Sequence, residues 1–205
     1  GYDITAETCS HYLSMTDKDV LENGPLFKCA PPLRSQEEVD RLWGYVEDGT
    51  FSGIASDHSP CSYAEKYEEI LGQKIENVFD VWGGISGIQS GVQVSFYEGC
   101  VKRGVSPSTL AKVMAENPAK TFGIYGKKGA LKPGFDADII LIDPEKEWEI
   151  TSESLKYVNK ISAFVGMKGK GLPVCTIVRG EVVAQDGDVT DTKGYGELVK
   201  KIKEK

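Results

Sequence analysis

The sequence has only two histidines, His11 and His58, and it lacks several short motifs that identify common kinds of site. No C-x-x-C pair occurs among its five cysteines, which excludes a zinc ribbon and a dithiol redox centre. A P-loop and a G-x-G-x-x-G sequence are also absent, so neither of these phosphate-binding loops is encoded. The G-x-S-x-G elbow is missing as well, so Ser59 is not predicted to be the nucleophile of a serine hydrolase.

Long apolar runs and concentrations of positive charge are missing too. No apolar run approaches the roughly 20 residues of a membrane span, and no signal peptide is visible. The formal net charge is −7 and no Lys/Arg-rich stripe occurs, so neither a membrane nor a nucleic acid is predicted as a partner. The cysteines are widely spaced, and we expect free thiols in a reducing compartment, which indicates a cytoplasmic protein.

The residues that are present have an ordinary globular composition, with 40% hydrophobic residues, and their pattern alternates strands, loops and helices. Strands are predicted over residues 2–9 and 53–56. A helix is predicted between Ser35, which would form a capping box with Glu38, and Gly49. A glycine-rich stretch from residue 83 leads into a further predicted helix. Polar clusters follow both strands, which is typical of a (β/α) barrel or an open α/β sheet with its chemistry at the carboxyl ends.

From about residue 120 the pattern changes to that of a small β-rich unit. A buried strand is predicted over residues 138–142 and should stop at Asp143-Pro144. A hairpin is predicted about Gly180. The Lys-rich end is predicted to be a polar, solvated helical tail.

Asp57, in the stretch SDHSP, is the strongest candidate for chemistry. It follows a predicted strand directly, where its carboxylate could bind a divalent metal or accept a proton. The alternative is an Asx turn, in which Asp57 bonds the backbone of Ser59 and simply caps the strand. Asp57 and His58 alternate in direction if they continue the strand, so only one of them should face a central site.

His11 and Cys29 are weaker candidates. A lone histidine after a strand is more often a packed, hydrogen-bonded residue than a metal ligand. Cys29 has no identifiable basic partner, so a nucleophilic role is not supported. Pro31 and Pro32 make the segment around Cys29 rigid. It is better suited to form one side of a binding pocket and offer backbone groups to a substrate.

Five stretches, taken in their order and spacing, resemble the C-terminal part of the cyclic amidohydrolases. They are 5–13 (TAETCSHYL), 27–34 (FKCAPPLR), 54–61 (IASDHSPC), 116–119 (ENPA) and 134–138 (GFDAD). This group includes the allantoinases, the dihydropyrimidinases or hydantoinases, and the dihydroorotases. Within it, KCAPPLR and SDHSPC look most like allantoinase.

The resemblance implies an α/β fold, the C-terminal part of a (β/α)8 TIM-type barrel together with part of a small β-sandwich. Residues 1–120 would supply barrel strands seven and eight with the helices that follow them, 121–190 the sandwich portion and 191–205 the polar tail. Since a complete barrel takes about 250 residues, we expect a longer enzyme whose N-terminal barrel portion is the missing partner. Relatives are commonly tetramers, so the resemblance also implies a homo-oligomer.

The resemblance further implies a catalytic role for Asp57, as ligand of one of two divalent metals, zinc, and as the acid–base group that passes a proton to the departing ring nitrogen. Cys29, Ser59 and Pro60 would contact the substrate, a small cyclic ureide, whereas His11 is not a ligand position in this family. The family's His-x-His pair, its carbamylated bridging lysine and two more histidines are absent from this chain. We therefore expect the isolated chain to be inactive.

The activity implied for the complete enzyme is metal-dependent hydrolysis of allantoin to allantoate, in purine and ureide catabolism. Dihydropyrimidinase or hydantoinase activity is the alternative within the enzyme class. A catalytically silent scaffold or assembly fragment, which would bind no metal by itself, is the alternative outside it.

Overall fold

The computed structural model describes residues 4–191 and 193–202, and it begins with a pair of parallel strands. Strand β1 (Glu7–Cys9) lies beside β2 (Gly53–Ala55) with Cys9 opposite Ala55, so both strands end at the same edge. The segment between them forms α1 (Asp17–Asn23), a 3₁₀ turn (Gly24–Phe27) and α2 (Gln36–Glu47). The first strand is shorter than predicted: residues 4–6 are not in a strand, although the carbonyl of Ala6 accepts from the backbone nitrogen of Ser52 at 2.8 Å, and residues 2–3 lie outside the described residues.

Helix α2 occupies the predicted position, but its predicted capping box is wrong. Ser35 is the N-cap residue and makes no side-chain cap bond. Glu38 instead accepts a hydrogen bond from Arg41 at 2.9 Å, one turn along the exposed face. The apolar face is buried as predicted, and Trp43 Nε1 donates to the carbonyl of Leu13 at 2.8 Å. This bond fixes α2 against the segment that follows β1.

The chain after β2 forms short helices and one two-stranded hairpin. In chain order these are α3 (Tyr63–Tyr67), β3 (Glu69–Ile70), β4 (Gln73–Lys74), α4 (Gly91–Ser95), α5 (Pro107–Ala111) and α6 (Asn117–Thr121). Two π-helical segments, Phe96–Val101 and Lys112–Glu116, extend α4 and join α5 to α6. Within the described part of the chain, no helix has both the length and the apolar character needed to cross a bilayer.

The glycine-rich stretch before α4 packs closely instead of starting the helix at residue 83. A Cβ added at Gly84 would lie 2.2 Å from Ser59 Oγ, so the backbone there rests directly on the loop after β2. Residues 83–90 therefore form an irregular segment, and α4 begins only at Gly91. The glycines permit a close backbone approach, as the sequence suggested, at the cost of helix propensity.

The second half of the chain contains a four-stranded antiparallel sheet. Its strands lie in the order β5 (Ile139–Glu149), β6 (Lys168–Val178), β7 (Glu181–Gln185) and β8 (Asp188–Val189). The hairpin about Gly180, which has a φ of 87°, is confirmed. The predicted stop at Asp143-Pro144 is wrong, because β5 is an edge strand whose register shifts between Asp143 and Glu147. Proline is tolerated at such an irregular edge, where no ladder bond from its nitrogen is needed.

The polar end of the chain lies against the protein in the part that the structure describes. Residues 193–202 contain no helix, so the predicted helical tail is wrong for those residues. The backbone nitrogen of Ile202 donates to the carbonyl of Gly123 at 2.8 Å. Residues 203–205 lie outside the described residues.

Two buried clusters hold these elements together. One joins the sheet to the segment that carries Cys29, and its members are Met15, Cys29, Leu33, Ile85, Val94, Trp148, Ile150, Leu155, Ala163 and Phe164. The other packs α2 and α5 on β2, and its members are Leu13, Val39, Trp43, Val46, Ile54, Val105, Leu110 and Val113. The first cluster thus packs the sheet against the segment between β1 and β2, and the second cluster packs that same segment on β2.

A pair of glycine substitutions tests the packing around Trp43. A Cβ at Gly99 would lie 2.6 Å from the Trp43 ring, whereas a Cβ at Gly44 would meet nothing within 4 Å. We expect Gly99→Ala to lower the free energy of unfolding by roughly 1–3 kcal/mol through overpacking. Gly44→Ala, the matched control in α2, should raise it by about 0.5–1 kcal/mol because alanine is the better helix former. Urea denaturation measures both, and equal values for the two variants would contradict the packing of Gly99 on Trp43.

Candidate metal and substrate site

The parallel register of β1 and β2 brings three side chains together at the carboxyl ends of the strands. Cys9 ends β1, His11 follows two residues later, and Asp57 follows β2 by the same interval. One donor atom from each of the three lies within 4.8 Å of the other two. Of these three residues only Asp57 was predicted to be a metal ligand; Cys9 was not among the candidates, and His11 was expected to be a packed residue.

Asp57 does not form the Asx turn that was the alternative interpretation. The backbone nitrogen of Ser59 donates to the carbonyl of Ile85 at 3.1 Å, so it is not a donor to the Asp57 carboxylate. Asp57 has a φ of 41°, in the left-handed region, which aspartate and asparagine adopt more readily than most residues. Its side chain is exposed, so the carboxylate can be reached from solvent.

His58, the neighbour of Asp57, bonds the segment before α4 instead of joining the group, so only one of the two residues lies at the site, as expected, although the strand on which that expectation was based ends at Ala55. Its Nδ1 accepts hydrogen bonds from the backbone nitrogens of Gly87 at 3.1 Å and Ile88 at 3.3 Å. Its ring lies 5.0 Å from that of Tyr157. Nδ1 is the acceptor, so the neutral imidazole carries its proton on Nε2. His58 thus positions the turn after β2 and is not one of the grouped donors.

His11 is packed as predicted but is not hydrogen-bonded. Only 1% of the residue is exposed, and its ring lies 4.1 Å from that of Tyr12. Neither Nδ1 nor Nε2 has a hydrogen-bond partner among the described residues. Burial lowers the pKa of His11 to about 4, although the negative charge of Asp57 acts in the opposite direction. The imidazole is therefore neutral at pH 7 and has a free lone pair.

Cys9 supplies a sulfur donor to the same group. Burial raises the pKa of its thiol to about 12, and the charges of Asp57 and Glu7 add to this effect. The thiol is protonated at neutral pH, and a divalent cation would have to displace its proton on binding. Sulfur, imidazole nitrogen and carboxylate oxygen together are a donor set that suits Zn²⁺. The residues at this edge therefore fit a metal of the kind that the resemblance implies.

Cys29 lies in the same neighbourhood with its thiol directed into the protein. Its Sγ donates to the carbonyl of Pro31 at 3.2 Å, and the Tyr12 hydroxyl donates to the same oxygen at 2.9 Å. Burial is the main cause of the raised pKa of Cys29, and the charge of Asp57 adds to it. Because the thiol is buried and bonded, Cys29 is poorly suited to act as a nucleophile. A segment that offers its backbone groups to a substrate is the better interpretation.

Ser59, which is half-buried, and Pro60 follow Asp57 in the same turn. The Ser59 hydroxyl accepts a hydrogen bond from Trp82 Nε1 at 3.1 Å and still has its own proton to donate. Pro60 is exposed. A substrate-binding role for these two residues, and for Cys29, stays a prediction.

Lys66 is a charged residue whose burial the sequence did not indicate. It lies in a stretch rich in Glu and Lys, a composition that is typical of a solvent-exposed loop. It is 1% exposed, and its Nζ lies within hydrogen-bonding distance of three backbone carbonyls. These belong to Pro25 at 3.2 Å, Lys28 at 3.0 Å and Trp82 at 2.9 Å. Burial lowers the pKa of Lys66 to about 8, while the neighbouring thiols of Cys61 and Cys29 act in the opposite direction. Lys66 thus ties α3 to the segment before Cys29 and to the segment against Ser59.

Known proteins are similar to this chain in sequence and in fold. The sequence profile of the Amidohydrolase family matches residues 3–183. The chain belongs to the amidohydrolase family. This match confirms the family that the five sequence stretches indicated.

Two similar amidohydrolases are allantoinases. The chain is 42% identical to the allantoinase of Rubrobacter xylanophilus over 205 residues, which is 100% of this chain and 43% of that protein. It is 40% identical to the allantoinase of Enterococcus faecalis over 192 residues, which is 93% of this chain and 40% of that protein. The chain thus spans about two fifths of the length of these relatives.

Solved structures with the same fold are hydantoinases and dihydropyrimidinases. The L-hydantoinase (dihydropyrimidinase) of Arthrobacter aurescens superimposes with a TM-score of 0.88 at 35% identity, over 95% of this chain and 42% of that one. The dihydropyrimidinase of Brevibacillus agri gives a TM-score of 0.87 at 27% identity, over 98% of this chain and 43% of that one. The α/β amidohydrolase-like fold is therefore confirmed.

Proposed function

We propose that this chain is part of an allantoinase, in which it contributes Asp57 to a metal-dependent site that opens the ring of allantoin to give allantoate. The observation that carries the proposal is the position of Asp57, which follows β2 in the stretch SDHSPC and has an exposed carboxylate beside two further donors. Identities of 40–42% to allantoinases over nearly the whole chain support this substrate class.

The architecture that fits this role is the C-terminal part of a (β/α)8 barrel with part of a β-sandwich. In this proposal β1 and β2 are barrel strands seven and eight within residues 1–120, and the sheet β5 to β8 belongs to the sandwich portion within 121–190. The parallel pairing of β1 with β2 through helical connections supports the barrel assignment. The remaining ligands, the bridging carbamylated lysine and the oligomer contacts would come from residues outside these 205.

Each predicted site residue has a definite task in this mechanism. Metal ions of the zinc type, when bound, lower the pKa of water toward neutrality and polarise the amide carbonyl. Asp57 would hold a cation through its carboxylate, and as the acid–base group it would accept a proton from the attacking water and deliver it to the ring nitrogen that departs. The Cys29 segment, Ser59 and Pro60 line the ring of the substrate. All five cysteines are free, which agrees with an enzyme of a reducing compartment such as the cytoplasm.

A chimaeric enzyme tests the proposed substrate. In it, this chain replaces the segment of the Rubrobacter xylanophilus allantoinase that it matches along its whole length. Hydrolysis of allantoin, hydantoin and dihydrouracil is measured on the zinc-loaded protein. We expect kcat/KM for allantoin to exceed the values for the other two rings. A preference for hydantoin or dihydrouracil would overturn the allantoinase assignment in favour of the alternative.

Hydantoinase or dihydropyrimidinase activity is the second candidate, since the structures with the same fold include these enzymes. We rank it below allantoinase because the relatives with the higher identities are allantoinases. The third candidate, a silent scaffold, predicts that the chimaera folds and hydrolyses none of the three rings.

A further inference from the structure

We propose that Lys28 and Lys66 are positioning residues that set the width of the substrate pocket. The pocket is the space between the Cys29 segment and the turn that carries Ser59, which the proposed function assigns to the ring of the substrate. Neither lysine needs to contact the substrate, because each acts through the main chain that it holds. The inference rests on the proposed function and deepens it, since the width of the pocket decides which ring is accepted.

Lys28 makes the first connection between two segments that are distant in the sequence. Its Nζ donates to the carbonyls of Phe79 at 3.0 Å and Val81 at 2.6 Å. These acceptors lie 51 and 53 residues further along the chain. A hydrogen bond from a charged donor is roughly twice as strong as one between neutral groups. This side chain therefore holds the segment before the glycine-rich stretch beside the Cys29 segment.

Lys66 makes the second connection between the same two segments. Its Nζ donates to the carbonyl of Trp82 at 2.9 Å and to that of Lys28 at 3.0 Å. Because Lys66 is buried, water does not compete for these bonds. One buried cation thus takes an acceptor from each segment and joins them directly. We call the two lysines and the carbonyls that they bind the lysine bridge.

Two glycines carry this connection to the site. A Cβ added at Gly83 would lie 3.7 Å from the Cβ of Ala30, so the backbone there passes close to the Cys29 segment. A Cβ added at Gly84 would lie 2.2 Å from Ser59 Oγ, so the next residue rests on the turn after β2. The glycine pair is therefore a spacer that separates the two sides of the pocket.

Trp82 transmits the position of the bridge to Ser59. Its backbone nitrogen donates to the carbonyl of Glu65 at 3.1 Å, and its Nε1 donates to Ser59 Oγ at 3.1 Å. Together with the bond from Lys66 to its carbonyl, all three polar groups of Trp82 are used. Movement of Trp82 would therefore displace the hydroxyl that the proposed function places against the substrate.

Lys28→Met in the zinc-loaded chimaeric enzyme tests the lysine bridge. Lys28 is the better lysine to alter, because it is half-buried and water can replace part of its bonding. We expect KM for allantoin to rise by about 3–10-fold with kcat within about twofold, since the change loosens binding and leaves Asp57 in place. The ratio of kcat/KM for allantoin to that for dihydrouracil, which has a larger ring, should fall by at least about threefold.

Lys74→Met is the matched control, because Lys74 is an exposed lysine in β4. It should leave KM, kcat and the ring preference unchanged. Hydrogen exchange of the same proteins reports the bridge directly. The amides of Ser59 and Trp82, which are bonded to the carbonyls of Ile85 and Glu65, should exchange at least about tenfold faster in Lys28→Met only.

The outcomes separate this inference from the proposed function. If the unaltered chimaera hydrolyses none of the three rings, the proposed function fails and the substrate role of the bridge falls with it. If the unaltered chimaera is active but Lys28→Met keeps its KM, its ring preference and its amide exchange, the bridge is overturned and the proposed function stands. A joint loss of kcat and zinc content without a change in ring preference would show a general structural role, and it also overturns the inference.

Discussion

Asp57→Asn is expected to reduce allantoin hydrolysis by the chimaeric enzyme by roughly 10²–10⁴-fold, the usual contribution of a general acid–base group. Asparagine has nearly the same shape and tolerates the φ of 41° at this position, so the turn should be preserved. The amide cannot accept the proton that the mechanism delivers to the ring nitrogen. It is also a much weaker ligand for a divalent cation, so the zinc content should fall with the rate.

Asp186→Asn is the matched control for this prediction. Asp186 is an exposed aspartate with a φ of 49°, and it lies in the turn between β7 and β8, far along the chain from the site. The same chemical change in the same backbone conformation should leave kcat and the zinc content unchanged. If Asp57→Asn kept more than a tenth of the wild-type rate with full zinc content, the acid–base role of Asp57 would have to be abandoned.

Lys66→Met is expected to give the largest loss of stability, lowering the free energy of unfolding by roughly 2–5 kcal/mol at pH 7. Methionine fills a similar volume but leaves the carbonyls of Pro25, Lys28 and Trp82 without the donor that they share. Urea denaturation of the chain measures the change. Lys18→Met, at an exposed position in α1, is the control and should lie within about 0.5 kcal/mol of the unaltered chain.

The same residue gives a pH dependence with a definite sign. Burial lowers the pKa of Lys66 from 10.5 to about 8, so the unfolded chain holds more protons on this group between those two values. The free energy of unfolding of the unaltered chain should therefore rise relative to that of Lys66→Met as the pH increases from 8 to 10.5, by up to ~3 kcal/mol. Taking the difference between the two proteins cancels the titratable groups that Lys66 does not affect, but it retains the thiols of Cys29 and Cys61, whose pKa values the charge of Lys66 lowers. A difference that stays flat across this range would show that Lys66 is not buried as a charged group.

The sequence contained most of what identifies the family and orders the elements. The position of α2 follows from its apolar stripe, the hairpin about Gly180 from its turn residue, and the placement of Asp57 from a short strand that ends in a polar cluster. These features depend on neighbours within a few residues, so local propensity and periodicity suffice to predict them. The five family stretches likewise required no knowledge of the fold.

Two predictions from local sequence were wrong because the surroundings of the residue in the folded protein differ from those that the local pattern assumes. A proline ends a strand in the interior of a sheet, but β5 is an edge strand with a bulge and continues past Pro144. A serine before a helix suggests a capping box, but Glu38 is held by Arg41 instead. Edge position and exposure are properties of the assembled fold.

The grouping of Cys9 and His11 with Asp57 was decided only by the tertiary structure. It depends on the parallel register that sets Cys9 opposite Ala55. These two residues belong to strands that α1 and α2 separate along the chain. The burial of Lys66 has the same origin, because its three acceptors come from two other parts of the chain. A sequence specifies the donors and acceptors, but which of them meet is fixed by packing between distant segments. The sequence by itself thus determined that Asp57 follows a strand in an amidohydrolase, and the fold alone decided which side chains surround it.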